Sequence, residues 1–170
     1  VTLELNTLGD AESRDAWRQA LVEYFSAHKS VLSQDSLTRL EKNPLRILDS
    51  KDAGDKTLLP DAPKMDAYLT EHSRAFWDEL RRTLDVFGVN SVVTPSIVRG
   101  LDYYNHQTFE FVTNRLRSQG TVLAGAGYDG LVTQTGRPNL PAIGCDAGVV
   151  RLAMALYAAL APPRSFRLLP

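Results

Sequence analysis

The chain has few of the residues that build disulfide frameworks and metal sites. Its 170 residues include one cysteine, Cys145, and three histidines, His28, His72 and His106, whose spacings match no metal-binding motif. A single cysteine excludes an internal disulfide and is typical of a reducing, cytoplasmic compartment. We therefore expect no metal centre and a fold that depends on its hydrophobic core.

Strong net charge and long apolar runs are also missing. The formal net charge is −1, so no global basic field would draw this chain to nucleic acid by itself. No apolar run is long enough to span a bilayer, and the first residues lack the features of a signal peptide. Because Val1 already lies inside a strand-like pattern, we expect a fragment of a longer protein.

The first half of the chain is mainly helical in its periodicity. Val1 to Asn6 alternates as a strand does, and Asp10 is a suitable N-cap for a helix that ends near His28. Residues 30–64 are polar and broken by Pro44, Gly54, Pro60 and Pro63, which predicts short helices and turns. The helical period returns from Ala67 to Phe87.

After Gly88 the period changes to two, which predicts a sheet. The predicted strands are Val89–Thr94, Val98–Tyr104, Thr108–Thr113 and Thr121–Ala126, with a turn at Asn105 and His106. Strands that follow one another at such short intervals pair antiparallel. A last helix is predicted over Gly144–Leu160, so the fold class is α+β, with helices on one face of an antiparallel sheet.

Residues 99–130 hold the side chains best suited to chemistry. Arg99, on a predicted strand, could clamp a carboxylate or a phosphate, or it could pair with a surface acid. Tyr103 and Tyr104 could bind a polar ligand or serve as packing. The glycines at 125, 127 and 130 either admit a ligand close to the backbone or form a glycine-rich turn. Arg151, in an apolar helix, either meets an anion or extends to the rim.

Six blocks of sequence together resemble one enzyme family, the bacterial histidyl-tRNA synthetases. The strongest block is Arg-Gly-Leu-Asp-Tyr-Tyr, and the resemblance covers nearly the whole chain. The blocks are Leu5–Gly9, Asn43–Lys51, Arg99–Tyr104, Phe109–Glu110, Ser118–Val122 and Ala124–Leu131.

The resemblance implies part of a class II synthetase catalytic domain, an antiparallel sheet with flanking helices. Residues 1–29 and 85–163 would form the partial core, residues 30–84 the helical insertion that leans on tRNA, and residues 164–170 a linker tail. Such an enzyme activates histidine with ATP and Mg²⁺ and transfers it to tRNA(His). The family also implies a homodimer in the cytoplasm, with no membrane association and no tightly bound cofactor.

The resemblance also assigns roles to individual residues, all carried over by position. Arg99 matches the catalytic arginine that contacts the histidine carboxylate and the α-phosphate of ATP. The histidine pocket is assigned to Tyr103, Tyr104, Gly125 and Tyr128. ATP binding is assigned to Arg99, Gly148 and Arg151.

Two departures from the family pattern keep a second interpretation open. Gly127 stands where the family usually has Arg, and Val150 stands where it usually has Glu. Nothing in the chain matches the first two class II motifs or the anticodon-binding domain. The alternative is a synthetase-like paralogue that does not aminoacylate, such as a regulatory subunit of ATP phosphoribosyltransferase. The insertion block favours the synthetase, whereas the two departures favour the paralogue.

Overall fold

The computed structural model describes residues 1–98, 103–116, 120–138 and 140–160, which form five strands and six α-helices. Three short 3₁₀ turns lie at Pro44–Ile47, Leu59–Asp61 and Met65–Tyr68. Among the described helices, none is long and apolar enough to cross a membrane. The order is β1 (Thr2–Gly9), α1 (Ala11–Ala27), α2 (Gln34–Lys42), α3 (Ala53–Leu58), α4 (Glu71–Val86), β2 (Ser91–Val93), β3 (Asn105–Val112), β4 (Thr121–Gly127), α5 (Asp129–Gln134), β5 (Ile143–Ala147) and α6 (Val149–Leu160).

The five strands form one mixed sheet in the order β2-β1-β3-β4-β5. Three of the four pairings are antiparallel, and β2 pairs parallel with β1. The predicted α+β class with an antiparallel sheet is confirmed, and the parallel pairing of β2 with β1 is an addition at one edge. The parallel pairing is possible because the long helical excursion between β1 and β2 carries the chain back to the starting end of β1.

One face of the sheet is apolar and lies under α4. Leu3 and Leu5 of β1 are paired with Phe111 and Phe109 of β3, and Trp77 of α4 packs against this set. Directly opposed residues share a face, so Glu4, Asn6, Thr108 and Glu110 belong to the other face. That second face is polar, because apolar and polar residues alternate along β1 and β3.

Helix α1 shares a separate core with the segment between α1 and α4. Trp17, Leu21 and Phe25 are each at most 2% exposed. They pack with buried residues of the irregular segment: Leu32, Leu40, Leu45, Ile47, Leu58, Ala62 and Met65. The irregular segment therefore folds around α1.

A cluster of four side chains ties the start of α1 to the start of α4. Asp10 caps α1 by accepting from Ser13 N at 2.8 Å, and it also accepts from Thr70 Oγ1 at 2.6 Å. In return, Ser13 Oγ accepts from Thr70 N and Ser73 Oγ accepts from Asp10 N, both at 2.9 Å. Burial alone would raise the pKa of Asp10, but the hydrogen bonds from Thr70 and Ser13 hold the pKa well below its ordinary value.

Two predicted boundaries are wrong. Ile143–Ala147 is strand β5 rather than the start of the last helix, because it pairs with Leu123–Gly127 of β4. Asn105 and His106 open β3 instead of forming a turn, and a bulge in β1 sets His106 opposite Gly9. Tyr103 lies in a turn, and residues 99–102 of the predicted strand Val98–Tyr104 lie outside the described residues.

A buried carboxylate organises the irregular segment. Asp55 is 0% exposed and accepts hydrogen bonds from Ser33, Ser36 and Ser50, the last at 2.5 Å. Burial by itself raises the pKa of this carboxyl, but the hydrogen bonds from Ser36, Ser50 and Ser33 lower the pKa from 3.8 to about 2. Ser50 belongs to the Asn43–Lys51 block, so part of that block serves the fold.

We expect Asp55→Ala to destabilise the chain by about 2–3 kcal/mol, because three serine donors lose their buried acceptor. Since the folded pKa lies below the unfolded one, the stabilising contribution is complete above pH ~4 and disappears as the pH falls toward ~2. Urea unfolding at several pH values measures both effects. The control is Asp35→Asn, whose exposed ion pair with Arg39 should contribute less than about 1 kcal/mol. An Asp55→Ala variant as stable as the parent at pH 7 would contradict this account.

Candidate functional site

The tyrosines singled out from sequence lie at one end of the β3-β4 pair. Asn105 of β3 is paired with Gly127 of β4, so Tyr104 precedes and Tyr128 follows that pair directly. The rings of Tyr103 and Tyr104 stand 4.5 Å apart, and the Tyr103 hydroxyl donates to that of Tyr104 at 3.5 Å. This hydrogen bond raises the pKa of Tyr103 above its ordinary value.

Arg14 and Tyr128 show how this end of the sheet is held. The guanidinium of Arg14 donates to the carbonyl oxygen of Tyr104, which fixes the chain just before β3. Sequence reasoning missed Arg14, because nothing local in α1 indicates contact with a residue 90 positions away. The Tyr128 hydroxyl donates to the Ile143 carbonyl at 3.3 Å.

Tyr128 lies on the polar face of the sheet. Thr108, Ala126 and Gly144 are opposed across three strands, so they share that face. A Cβ on Gly144 would meet the Tyr128 hydroxyl at 2.9 Å, which places the tyrosine ring over this glycine. The neighbouring row on the same face is Glu4, Glu110, Ala124 and Asp146. Thr108 and Ala126 are at most 1% exposed, so the first row is covered, whereas Asp146 in the neighbouring row is exposed.

Two of the glycines are explained by packing. A Cβ on Gly125 would lie 2.4 Å from Cζ of Phe109, which is on the apolar face. A Cβ on Gly127 would lie 2.7 Å from the backbone oxygen of Asn105. The space beside Gly125 therefore holds a phenylalanine ring, and the space beside Gly127 holds strand backbone.

The residues assigned to ATP lie where β5 turns into α6. Gly148 N donates to Val122 O at 3.0 Å, and Arg151 Nη1 donates to Thr121 O at 2.9 Å. Thr121 also donates from its hydroxyl to Glu110 at 2.8 Å. Arg151 is therefore held against β4, the strand that ends directly before Tyr128.

A second polar cluster adjoins Tyr104 and Tyr128. The Asp129 carboxylate accepts from Ala142 N at 2.8 Å and lies 3.5 Å from His106 Nε2, while Asp129 N donates to Asn105 Oδ1 at 3.2 Å. His106 has a positive φ of 53°, and its Nδ1 is buried without a hydrogen-bond partner among the described residues. The cluster therefore fixes the two chain segments that carry the tyrosines. A carboxylate two residues after a strand that ends in Gly127 is the signal that could have identified Asp129.

Arg99 lies outside the described residues, as do Gly100, Leu101 and Asp102. The structure thus brings Tyr103, Tyr104 and Tyr128 to one end of the sheet and sets Arg151 beside the neighbouring strand. Within the described parts of the chain, no cluster of three histidine, cysteine or acidic side chains could hold a metal ion.

We expect Gly127→Ala to destabilise the sheet by about 1–3 kcal/mol, because the added methyl meets immovable strand backbone. The matched control is Gly130→Ala in α5, where a Cβ meets nothing within 4 Å. This control should be neutral or slightly stabilising, since alanine favours helices. Thermal unfolding followed by circular dichroism compares the two variants. Equal melting temperatures would show that the strand has room at Gly127.

Known proteins match this chain along its whole length. The sequence is 58% identical over 170 residues to a histidine–tRNA ligase of Gluconobacter oxydans, which covers 100% of this chain and 41% of that protein. It is 57% identical over 168 residues to a histidine–tRNA ligase of Gluconacetobacter diazotrophicus, covering 99% and 40%. No protein-family model matches. The chain thus spans about two fifths of the length of these curated relatives.

The solved structures agree with the sequence relatives. Apo histidyl-tRNA synthetase of Staphylococcus aureus superposes with a TM-score of 0.69 at 29% identity, covering 93% of this chain and 38% of that one. A Bacillus halodurans protein described as an ATP phosphoribosyltransferase regulatory subunit/histidyl-tRNA synthetase shares the fold, with a TM-score of 0.51 at 21% identity over 91% of this chain and 44% of that one. The chain belongs to the histidyl-tRNA synthetase family, matching a segment of its members rather than their full length.

Proposed function

We propose that this chain forms part of the histidine and ATP site of a histidine–tRNA ligase. The observation that carries the proposal is Tyr128 lying over a sheet face of small and polar residues, at the end of the sheet that also holds Tyr103 and Tyr104. The identity of 58% to a curated histidine–tRNA ligase supports the choice of substrate.

The proposed reaction is activation of histidine followed by transfer to tRNA(His). A carboxylate oxygen of histidine attacks the α-phosphorus of ATP, pyrophosphate leaves, and a terminal ribose hydroxyl of the tRNA then displaces AMP. Arg99 would offset the charge that develops on the carboxylate and the α-phosphate. The Tyr103 hydroxyl, which donates to Tyr104 in the structure, could instead donate to a ligand.

The remaining assignments receive unequal support. Tyr104 and Tyr128 fit a histidine pocket by position, and Arg151 with Gly148 would meet ATP where β5 turns into α6. Gly125 fits less directly, since the space at its Cβ position holds Phe109; its backbone would be the contact. Mg²⁺ would arrive with ATP as part of the substrate.

We further propose that other polypeptide covers α6 and β5 in the working enzyme. Leu156, Tyr157 and Leu160 of α6 and Ile143 of β5 are 59–80% exposed, and the curated relatives are more than twice as long as this chain. Either the remaining part of the synthetase or the second subunit of a homodimer would bury this surface.

A reducing, cytoplasmic setting fits the single cysteine.

A regulatory paralogue remains the second candidate, and Gly127 is the observation that favours it. The family usually has an arginine at this position, but here the Asn105 backbone lies where any side chain would begin. Such a protein would bind ligands on the same fold without aminoacylation.

We expect the isolated chain to show no histidine-dependent pyrophosphate exchange above background, since it spans about two fifths of its relatives' length. Replacing the matched segment of the Gluconobacter oxydans ligase with this chain should give a chimera that does catalyse exchange. A folded chimera that binds histidine but does not exchange would support the regulatory paralogue. Exchange by the isolated chain would show that it carries the whole activation site.

In an active chimera, Arg99→Ala should lower kcat for exchange roughly 100-fold or more, because the interaction is made with charge that develops in the transition state. Tyr128→Phe should instead raise the KM for histidine. The matched control is Arg115→Ala, an exposed arginine between β3 and β4. If Arg99→Ala were no more damaging than Arg115→Ala, the role of Arg99 would be excluded.

A further inference from the structure

A cavity of about 580 Å³ lies beside β1 and the end of β2, and no step of the proposed reaction uses it. It is bordered by the segment from Lys56 to Asp66, by α1 and by α4. Its volume falls within the range of small-molecule sites. We call it the tryptophan cavity, because it is lined by Trp17 and Trp77, with Ala62 and Met65 between them along the chain.

The inner wall of the tryptophan cavity is mostly apolar, with two buried polar residues, Asn6 and Thr7, in its lining. Trp17, Ala62, Met65 and Trp77 are all less than 9% exposed. Trp17 Nε1 donates to Pro63 O at 2.7 Å, so the indole nitrogen is satisfied and cannot take a ligand acceptor. What this wall offers a ligand is aromatic and thioether surface, which favours a flat, apolar ring.

The rim of the cavity is cationic. Lys56, Lys64 and Arg81 line it and are exposed, against one carboxylate, Asp66. In the described parts of the chain, none of these three cations forms an ion pair, whereas the adjacent Arg82 is paired with Glu79 at 2.6 Å. This local excess of positive charge occurs in a chain whose net charge is −1. An anionic group at the rim would therefore be electrostatically favoured.

We propose that the tryptophan cavity binds a small aromatic anion, a ring system carrying a carboxylate, sulfonate or phosphate group. The ring enters between the tryptophans, and the anionic group meets Lys64 and Arg81 at the mouth. The cavity lies by β1 and β2. Tyr128 follows β4 and Arg151 follows β5, and these strands are at the opposite edge of the sheet. The cavity is thus lined by neither Tyr128 nor Arg151.

The chain contains two tryptophans, and both line the cavity, so their signals report on it directly. The test titrates the full chain with naphthalene-1-sulfonate and follows tryptophan fluorescence together with the two indole N–H resonances. We expect saturable binding of one molecule per chain that shifts the indole signals. Neutral naphthalene should bind about 10-fold more weakly, because it lacks the charge that meets the rim. Probe that binds without moving the indole signals occupies another surface and overturns the proposal.

Matched variants separate the charge from the cavity. Lys64→Gln and Arg81→Gln, both exposed and expected to fold, should each weaken binding about 5–10-fold, while Arg82→Gln on the same helix should leave it unchanged. Ala62→Leu should fill the cavity and abolish binding, with its melting temperature checked first. If Arg82→Gln weakened binding as much as Arg81→Gln, general surface charge would explain the effect and the proposal would fail.

An RNA strand is the other anion that a cationic rim could meet. A single-stranded oligonucleotide would depend on Lys64 and Arg81 but would be insensitive to Ala62→Leu, since its phosphates need no cavity. If the oligonucleotide bound in this manner and naphthalene-1-sulfonate did not bind, the rim would be an RNA contact and the small-anion proposal would be overturned.

Discussion

The hydrogen-bonded cluster at the starts of α1 and α4 is the constraint on which the rest of the structure depends. Asp10 follows the last residue of β1, caps α1 and accepts from Thr70, the N-cap of α4. Its ionised carboxylate also lies at two helix N-termini, where negative charge is favoured. The cluster fixes both helices to the end of β1. It therefore sets the position of Trp77 over the sheet and of Arg14 against Tyr104.

From that anchor the sheet acquires two different faces. Leu3, Leu5, Phe109 and Phe111 lie under α4, and burial of this apolar area stabilises the sheet. The same alternation turns Thr108, Glu110 and the small residues of β4 and β5 to the other side. Tyr128 lies on that polar side, so the candidate site follows from the strand period rather than from a special loop. Phe109 in turn requires glycine at position 125.

Elements with a strong local signal were predicted correctly from sequence. Asp10 caps α1, α1 ends beside His28, and the strand at Thr121 starts as expected. Strand β5 was missed because Ile143–Ala147 has little alternation, and it is a strand only through its pairing with β4. Helix α5 was missed for a similar reason, since its six residues are too few to show a period. The division of the apolar residues into two hydrophobic cores was not predicted, because the members of each core lie far apart in the chain.

The sequence by itself was enough to predict the fold class and the family and to select the tyrosines as candidate site residues, because the strand period and the Arg99–Tyr104 block are local patterns. Only the tertiary structure decided that Gly125 makes room for Phe109, that Asp55 serves three serines, and that both tryptophans enclose one cavity. Each of these depends on distances between residues remote in sequence. Such distances arise from packing and hydrogen bonding across elements, which no local pattern of residues encodes.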